Sequence, residues 1–150
     1  LGKHESFIFP VGRLDKETSG ALLFTNDSQL GERLTNPDSK IPKTYHVVGE
    51  GLIGEEAIRA LCDGITIEDG FTTLPATVSN VARNTATTEC DITIVQGKNR
   101  QVRKMFESVG HPVVSLRRVS IGPLRLGSLP AGASRTLTSN EISQLRKSVS

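Results

Sequence analysis

The stretch Gly12-Arg13-Leu14-Asp15-Lys16-Glu17-Thr18-Ser19-Gly20 runs directly into Ala-Leu-Leu-Phe-Thr-Asn-Asp, which ends at Asp27. It places one carboxylate, that of Asp15, in a polar turn between two glycines. The apolar run 21–25 that follows is too short for a helix and indicates a buried strand. An aspartate in a turn most often hydrogen-bonds the local backbone or caps a helix. Taken alone, the stretch therefore leaves both a structural and a chemical role open for Asp15.

Two further segments combine charged or aromatic residues with a regular pattern. Lys43-Thr44-Tyr45 contains the only tyrosine of the chain and begins a predicted strand, on which Tyr45, Val47 and Gly49 share one face. Gly97-Lys98-Asn99-Arg100-Gln101-Val102-Arg103-Lys104-Met105-Phe106 leads into the clearest predicted helix. Apolar residues recur there at helical spacing until Gly110, which is a typical helix stop.

Together these segments resemble the motifs of the RsuA-type ribosomal-RNA pseudouridine synthases. In that family the catalytic loop reads G-R-L-D, followed by T-x-G-L-L-L-x-T-N-D. A strand carries K-x-Y, and a helix begins with G-x-N-R-Q-V-R-x-M. This sequence departs from the catalytic-loop pattern only conservatively, for example at Ala21 and Phe24. The resemblance extends from about Pro10 to the final predicted helix, and so covers most of the chain.

The remaining patterning predicts short strands interspersed with short helices. Strands are predicted at 7–11, 44–49, 76–82, 87–95 and 113–121, in addition to 21–25. Helices are predicted after an Asp27 cap and at 54–63, 99–109 and 138–147, the last with Ile142 and Leu145 facing inward. We therefore expect an α+β domain with a mixed, largely antiparallel sheet and flanking helices, as the resemblance also implies.

The resemblance implies a catalytic role for three residues. Asp15 corresponds to the nucleophile, which attacks the sugar anomeric carbon or C6 of uridine, or assists loss of a 2′ proton. Arg103 corresponds to its salt-bridge partner, and Tyr45 to the ring that stacks on the flipped base. This chemistry requires no metal and no redox cofactor. The structural alternatives are an exposed Arg103 paired with Glu107 and a Tyr45 ring packed against the core.

The charge is distributed unevenly along the chain. The formal net charge is only +2, but residues 49–96 contain eight acidic and two basic side chains, whereas residues 98–125 contain seven basic and one acidic. This asymmetry indicates a basic face for an anionic partner, or simply a solvated helix face. With the resemblance, the expected partner is ribosomal RNA, and the candidate contacts are Arg13, Lys43, Asn99, Arg100 and Lys104. For Arg117, Arg118 and Arg125, which extend this face, both interpretations stay open: contact with RNA and ordinary solvation.

Other features limit the context of the domain. Cys62 and Cys90 lack paired spacing and indicate buried free thiols in a reducing compartment, such as a bacterial cytoplasm or an organelle. The three histidines are scattered, so no metal site is expected. No apolar run has the length of a membrane span. The first residue is not Met. From the resemblance we therefore expect residues 1–150 to be a catalytic domain that lacks its first strand and any N-terminal S4-type RNA-binding domain.

Two other functions fit parts of this pattern. A non-catalytic RNA-binding module accounts equally well for the basic segment, but it has no need for Asp15, Tyr45 and Arg103 together. A carboxylate-based hydrolase would require a second acid near the first, and Glu17 is the nearest candidate. Adjacent turn residues rarely face each other across a substrate. The sequence therefore favours the isomerase, and it leaves the target uridine and the oligomeric state open.

Overall fold

A computed structural model describes residues 9–11, 14, 16–25, 27–97, 100–127, 129 and 134–149 of the chain. The strands are β1 (Phe9–Val11), β2 (Ser19–Gly20), β3 (Leu23–Thr25), β4 (Lys43–Glu50), β5 (Thr77–Arg83), β6 (Thr87–Ile94), β7 (Val113–Ile121) and β8 (Leu124–Arg125). The helices are α1 (Ser28–Thr35), α2 (Glu55–Asp63), α3 (Gln101–Ser108) and α4 (Ser139–Ser148). None of these helices is long and apolar enough to cross a membrane.

The described strands form two sheets. β1 and β3 make an antiparallel pair, and the larger sheet has the order β2-β7-β4-β6-β5, with β8 paired to β7. Within the larger sheet, β2 runs parallel to β7, and the other neighbours are antiparallel. The predicted fold class, an α+β domain with a mixed, largely antiparallel sheet, is confirmed.

The main core lies between one face of the large sheet and the helices α2 and α3. Val47 of β4 and Ile92 of β6 are fully buried on this face. They cluster with Leu61 of α2 and with Met105 and Phe106 of α3. The predicted alternation in β4 is therefore confirmed, because it turns Val47 toward the helices and His46 toward the opposite face. Cys90 is buried and Cys62 partly so, and both are free thiols as predicted.

A second, smaller core forms where α1 and α4 meet the ends of β7 and β8. Its buried members include Leu30 and Leu34 of α1 and Leu145 of α4. Asp27 caps α1 as predicted, because its Oδ1 accepts a hydrogen bond from the Leu30 amide at 3.1 Å. The inward position predicted for Ile142 is wrong, since this side chain is 37% exposed. The small core takes up only the C-terminal part of α4.

The prediction of one buried strand at 21–25 is also wrong. The extended segment is divided: β2 ends at Gly20 in the large sheet, and β3 begins at Leu23 in the two-stranded sheet. Leu22 and Phe24 are 38% and 49% exposed. The physical reason is that a two-stranded ribbon buries at most one of its faces, so that alternate residues of β3 stay accessible.

A polar cluster lies on the face of the large sheet opposite the main core. His46 Nδ1 lies 3.0 Å from Asp91 Oδ1, and its Nε2 lies 3.1 Å from Glu89 Oε1. Asn80 donates a hydrogen bond to the other Asp91 oxygen at 2.8 Å. Burial disfavours the charged imidazolium, but the hydrogen bonds and negative charges of Asp91 and Glu89 outweigh burial and raise the pKa of His46 above 6.5.

We expect this cluster to make stability depend on pH. Because the pKa is raised in the folded state, the stabilisation is fully present below pH 6.5 and is lost as the pH rises through the folded value. His46→Gln should therefore lower the free energy of unfolding more at about pH 5.5 than at about pH 8.5. Urea denaturation followed by circular dichroism measures this difference.

The matched control removes the two carboxylates instead of the histidine. In a background carrying Glu89→Gln and Asp91→Asn, His46→Gln should no longer cost more stability at about pH 5.5 than at about pH 8.5, because the partners that raise the pKa are absent and burial, which lowers it, remains. A larger loss at high pH in the otherwise unchanged protein would contradict the expected sign.

Candidate active site

The loop between β1 and β2 is held against the start of α3. Arg103 Nη2 donates a hydrogen bond to the Glu17 carbonyl at 2.7 Å, and Arg100 Nη1 lies 3.1 Å from Glu17 Oε1. Arg103 is only 8% exposed. The exposed pairing with Glu107, which was the structural alternative for Arg103, is therefore excluded. Since Glu17 follows Asp15 by two residues, α3 places a buried cation against the segment that contains the predicted nucleophile.

Three of the predicted site residues lie outside the described residues: Asp15, Arg13 and Asn99. Their assignments as nucleophile and RNA contacts stay predictions. The residues next to Asp15 are described, with Lys16 and Glu17 forming a turn that leads through Thr18 into β2. The Glu17 carboxylate pairs with Arg100, so this acid is already engaged with a cation.

Tyr45 lies in the middle of the sheet on the face that also carries the main core. It is opposite Ile92 of β6 and Arg118 of β7. The tyrosine is half-buried and packs against the main core. The ring therefore packs against the core, as the structural alternative predicted. The exposed part of the side chain remains free to contact a ligand.

Lys43 is the first residue of β4, two residues before Tyr45, and it lies near the loop that precedes α3. A Cβ built on Gly97 would lie 3.6 Å from Lys43 Nζ, which places the amine against that loop. Burial, followed by the positive charge of Arg118, lowers the pKa of Lys43 below 10.5. The two cations therefore lie close enough to repel each other inside the fold.

Arg118 is a site residue whose buried position the sequence pattern did not predict. It is 4% exposed, and its Nε donates a hydrogen bond to the Ala21 carbonyl at 2.9 Å. Its Nη2 is buried without a hydrogen-bond partner in the described part of the chain. The sequence of β7 contains no signal for this, because its apolar residues fall on both parities; in the structure, Arg118 shares a face with the buried Leu116, whereas Arg117 is exposed.

The described site is rich in positive charge. Four cations converge on it: Lys43, Arg100, Arg103 and Arg118. Lys104, the next residue of α3 after Arg103, has its Nζ 3.8 Å from Asp69 Oδ2. Arg100 has the left-handed backbone conformation, with φ at 53°, which is uncommon outside glycine. Such a concentration of cations suits a polyanion. Among the described residues, no group of acidic, histidine or cysteine side chains is arranged to hold a metal ion.

Known proteins are similar to this chain in sequence and in architecture. The sequence pattern of a family described as RNA pseudouridylate synthase matches residues 1–108. Ribosomal large subunit pseudouridine synthase B of Bacillus subtilis (strain 168) is 41% identical over 140 residues, covering 93% of this chain and 57% of the relative. Ribosomal large subunit pseudouridine synthase E of Xanthomonas campestris pv. campestris is 39% identical over 140 residues, covering 83% of this chain and 74% of the relative.

A crystal structure of a pseudouridylate synthase matches the fold, with a TM-score of 0.85 and 34% sequence identity over 92% of this chain and 59% of the other. The chain belongs to the RNA pseudouridylate synthase family. The resemblance to its RsuA-type members, drawn from the three motifs, is confirmed. The chain spans a little over half the length of the Bacillus relative and of the matching crystal structure.

We expect Lys43→Met to stabilise the fold at neutral pH. The lowered pKa means that the folded state binds this proton less tightly than the unfolded chain does, so the charged amine destabilises the fold at pH 7. The advantage of the variant should shrink as the pH approaches 10.5, where the amine loses its charge in both states. The urea midpoint at several pH values measures the effect.

Lys40→Met is the matched control, because Lys40 is exposed and precedes β4 by three residues. It should change the free energy of unfolding by no more than about 0.5 kcal/mol. A Lys43→Met protein less stable than the parent at pH 7 would show that the ammonium gains more from its surroundings than burial removes.

Proposed function

We propose that this chain is the catalytic domain of an isomerase that converts uridine to pseudouridine in ribosomal RNA, with Asp15 as the nucleophile and the target base flipped out of its stack. The observation that carries the proposal is the buried Arg103 guanidinium, which reaches the main chain at Glu17, two residues from Asp15. In the reaction, the bond from N1 to the sugar breaks and a bond from C5 forms. A proton leaves C5 and N1 regains one, so reactant and product are isomers.

The proposed nucleophile requires a cation because it must stay ionised in a closed site. A carboxylate removed from water is protonated more readily unless a positive charge lies beside it. Arg103 is suited to this task, because a guanidinium retains its charge when buried and offers several donors in one plane. One of those donors binds the Glu17 carbonyl, so the loop itself aligns the cation with the segment of Asp15.

Tyr45 supplies the aromatic surface that a flipped base needs. An extruded pyrimidine is commonly held by stacking on an aromatic ring and by hydrogen bonds to its edge. Tyr45 is half-buried in a central strand, so its ring is fixed by packing while part of it remains accessible. We assign it the stacking role, and its hydroxyl a part in removing the C5 proton.

The cation-rich surface supports RNA as the substrate. Lys43, Arg100 and Lys104 lie on or beside the elements that carry Tyr45 and Arg103, where they can bind phosphates that flank the target uridine. The names of the Bacillus and Xanthomonas relatives favour the RNA of the large ribosomal subunit over that of the small subunit.

Asp15→Asn tests the proposed chemistry. The amide has nearly the same size but is a poor nucleophile, so turnover should fall by about 10³-fold or more. The measurement is release of tritium from C5-labelled uridine in transcripts of large-subunit and small-subunit ribosomal RNA. Binding of the same transcripts and the urea midpoint should be unchanged.

The matched control is Asp63→Asn, which makes the same chemical change at the exposed end of α2. It should leave tritium release at the parent level. Substantial release by Asp15→Asn would reject Asp15 as the nucleophile. Tight RNA binding by a parent protein that releases no tritium would favour a non-catalytic RNA-binding module.

The salt dependence of RNA binding tests the basic segment. Replacing Arg100 and Lys104 with Ala should weaken binding and reduce the slope of log affinity against log salt by at most about one unit per lost phosphate contact. Arg59→Ala removes one charge from the exposed side of α2, in the acidic half of the chain, and should leave the slope unchanged. An unchanged slope in the double variant would place the RNA elsewhere.

A further inference from the structure

The segment that follows the Asp15 loop joins the two sheets of the domain. β2 belongs to the large sheet, and β3, which begins only three residues after β2 ends, belongs to the two-stranded sheet with β1. The loop 12–18 therefore starts from one sheet and ends in the other. Its geometry depends on how firmly the junction at Ala21 is held.

Backbone pairing alone gives this junction little support. β2 is two residues long, and only Ser19 and Gly20 pair with β7, in parallel register with Arg117 and Arg118. The pairing continues by one hydrogen bond, from the Ala21 amide to the Arg118 carbonyl at 2.9 Å. Parallel pairing of so few residues is weak without side-chain contacts.

Gly20 shows how closely β2 approaches β7. Its φ is +115°, and a Cβ at this position would collide with the main-chain carbonyl of Arg118. Glycine is therefore required here both by the backbone conformation and by the space available. The close approach brings the Ala21 carbonyl within reach of the side chain of Arg118.

The Arg118 side chain completes the attachment. Its Nε donates a hydrogen bond to the Ala21 carbonyl at 2.9 Å, so Arg118 contacts Ala21 through its main chain and its side chain together. Arg103 makes the equivalent contact four residues earlier, at the Glu17 carbonyl. Two buried guanidinium groups, from α3 and β7, thus hold main-chain oxygens on the C-terminal side of Asp15.

We propose that Arg118 is a positioning residue for the isomerisation: it fixes the junction at Ala21 to β7, and through it the placement of the Asp15 loop against Arg103. This inference rests on the proposed role of Asp15. Arg118 need not touch the RNA in order to act. Its loss should therefore lower the rate of the chemical step and leave RNA affinity intact, since a displacement of about 1 Å at reacting groups is enough to slow a reaction by about 10²-fold.

The experiment compares Arg118→Met with Arg118→Lys in the full chain. Met retains much of the packing without a donor, and Lys retains a charged donor on an unbranched stem. For Arg118→Met we expect kcat for tritium release to fall about 10²-fold, with the RNA dissociation constant and its salt slope unchanged. Arg118→Lys should recover part of the lost turnover. Amide hydrogen exchange of the peptide 16–25, measured by mass spectrometry, should become faster in the Met variant.

Arg117→Met is the matched control for the exchange measurement. It removes the same charge from the neighbouring, exposed position of β7, and it should leave exchange of the peptide 16–25 unchanged. Weaker RNA binding with a flatter salt slope in Arg118→Met would assign Arg118 to phosphate binding and overturn the proposal. Unchanged exchange in that variant would overturn it also, as would equal losses of turnover in the Lys and Met variants.

Gly20→Ala tests the same junction from the other strand. It should push β2 away from β7 and reproduce the faster exchange and the lower kcat without altering a charged residue, so it serves where Arg118→Met does not fold. Normal exchange and turnover in a folded Gly20→Ala protein would overturn the proposal. A parent protein that releases no tritium would reject the proposed function. The exchange comparison would still decide whether Arg118 holds this segment.

Discussion

The hydrogen bond from Arg103 to the Glu17 carbonyl connects the loop of the proposed nucleophile to the main core. A guanidinium that is almost fully buried is stabilised by each acceptor it reaches, because an unsatisfied charged donor inside a protein is costly. Arg103 reaches the Glu17 carbonyl through Nη2, whereas its Nε has no partner among the described residues. Arg103 emerges from a helix that also places Met105 and Phe106 in the core. The position of α3 is therefore set by apolar packing, and the loop must adapt to the guanidinium that α3 presents.

The same requirement explains how the small and large sheets are joined. Arg118 and Arg103 take main-chain carbonyls at Ala21 and Glu17 as acceptors. These main-chain acceptors fix the course of the loop. Because a carbonyl carries no net charge, they do not neutralise the cations. This arrangement leaves the positive charge of both groups available to the ionised carboxylate that the proposed mechanism requires, whereas ion pairs to acidic side chains would have neutralised it.

The concentration of cations conflicts with stability. Lys43 is partly removed from water and lies beside Arg118. Both effects lower its pKa, which means that the fold is less stable when the amine is charged. Arg100 adds a left-handed backbone at the start of α3. Unfavourable local features of this kind are common at functional sites, where surrounding packing maintains them. On the opposite face of the sheet, His46 has carboxylate partners for both ring nitrogens, so a positive charge is favoured there instead of opposed.

Local patterns were sufficient for most elements and for the identity of the family. Period-two alternation located β4, and the caps at Asp27 and Gly110 located the ends of α1 and α3, because these signals act over a few residues. Three motifs far apart along the chain pointed to one family. The proposed roles of Asp15 and Tyr45 came from the same motifs.

Contacts between distant segments decided what those patterns could not. Alternation could not reveal that 21–25 is divided between two sheets, since that depends on which strands β2 and β3 find as partners. Charge counting treated Arg118 as surface, although its neighbours on β4 and at Ala21 bury it. Helical spacing allowed Arg103 to pair with Glu107, and only the approach of the loop gave it Glu17 instead. Burial and hydrogen-bond partners are properties of the packed chain, and so they follow from the tertiary structure alone.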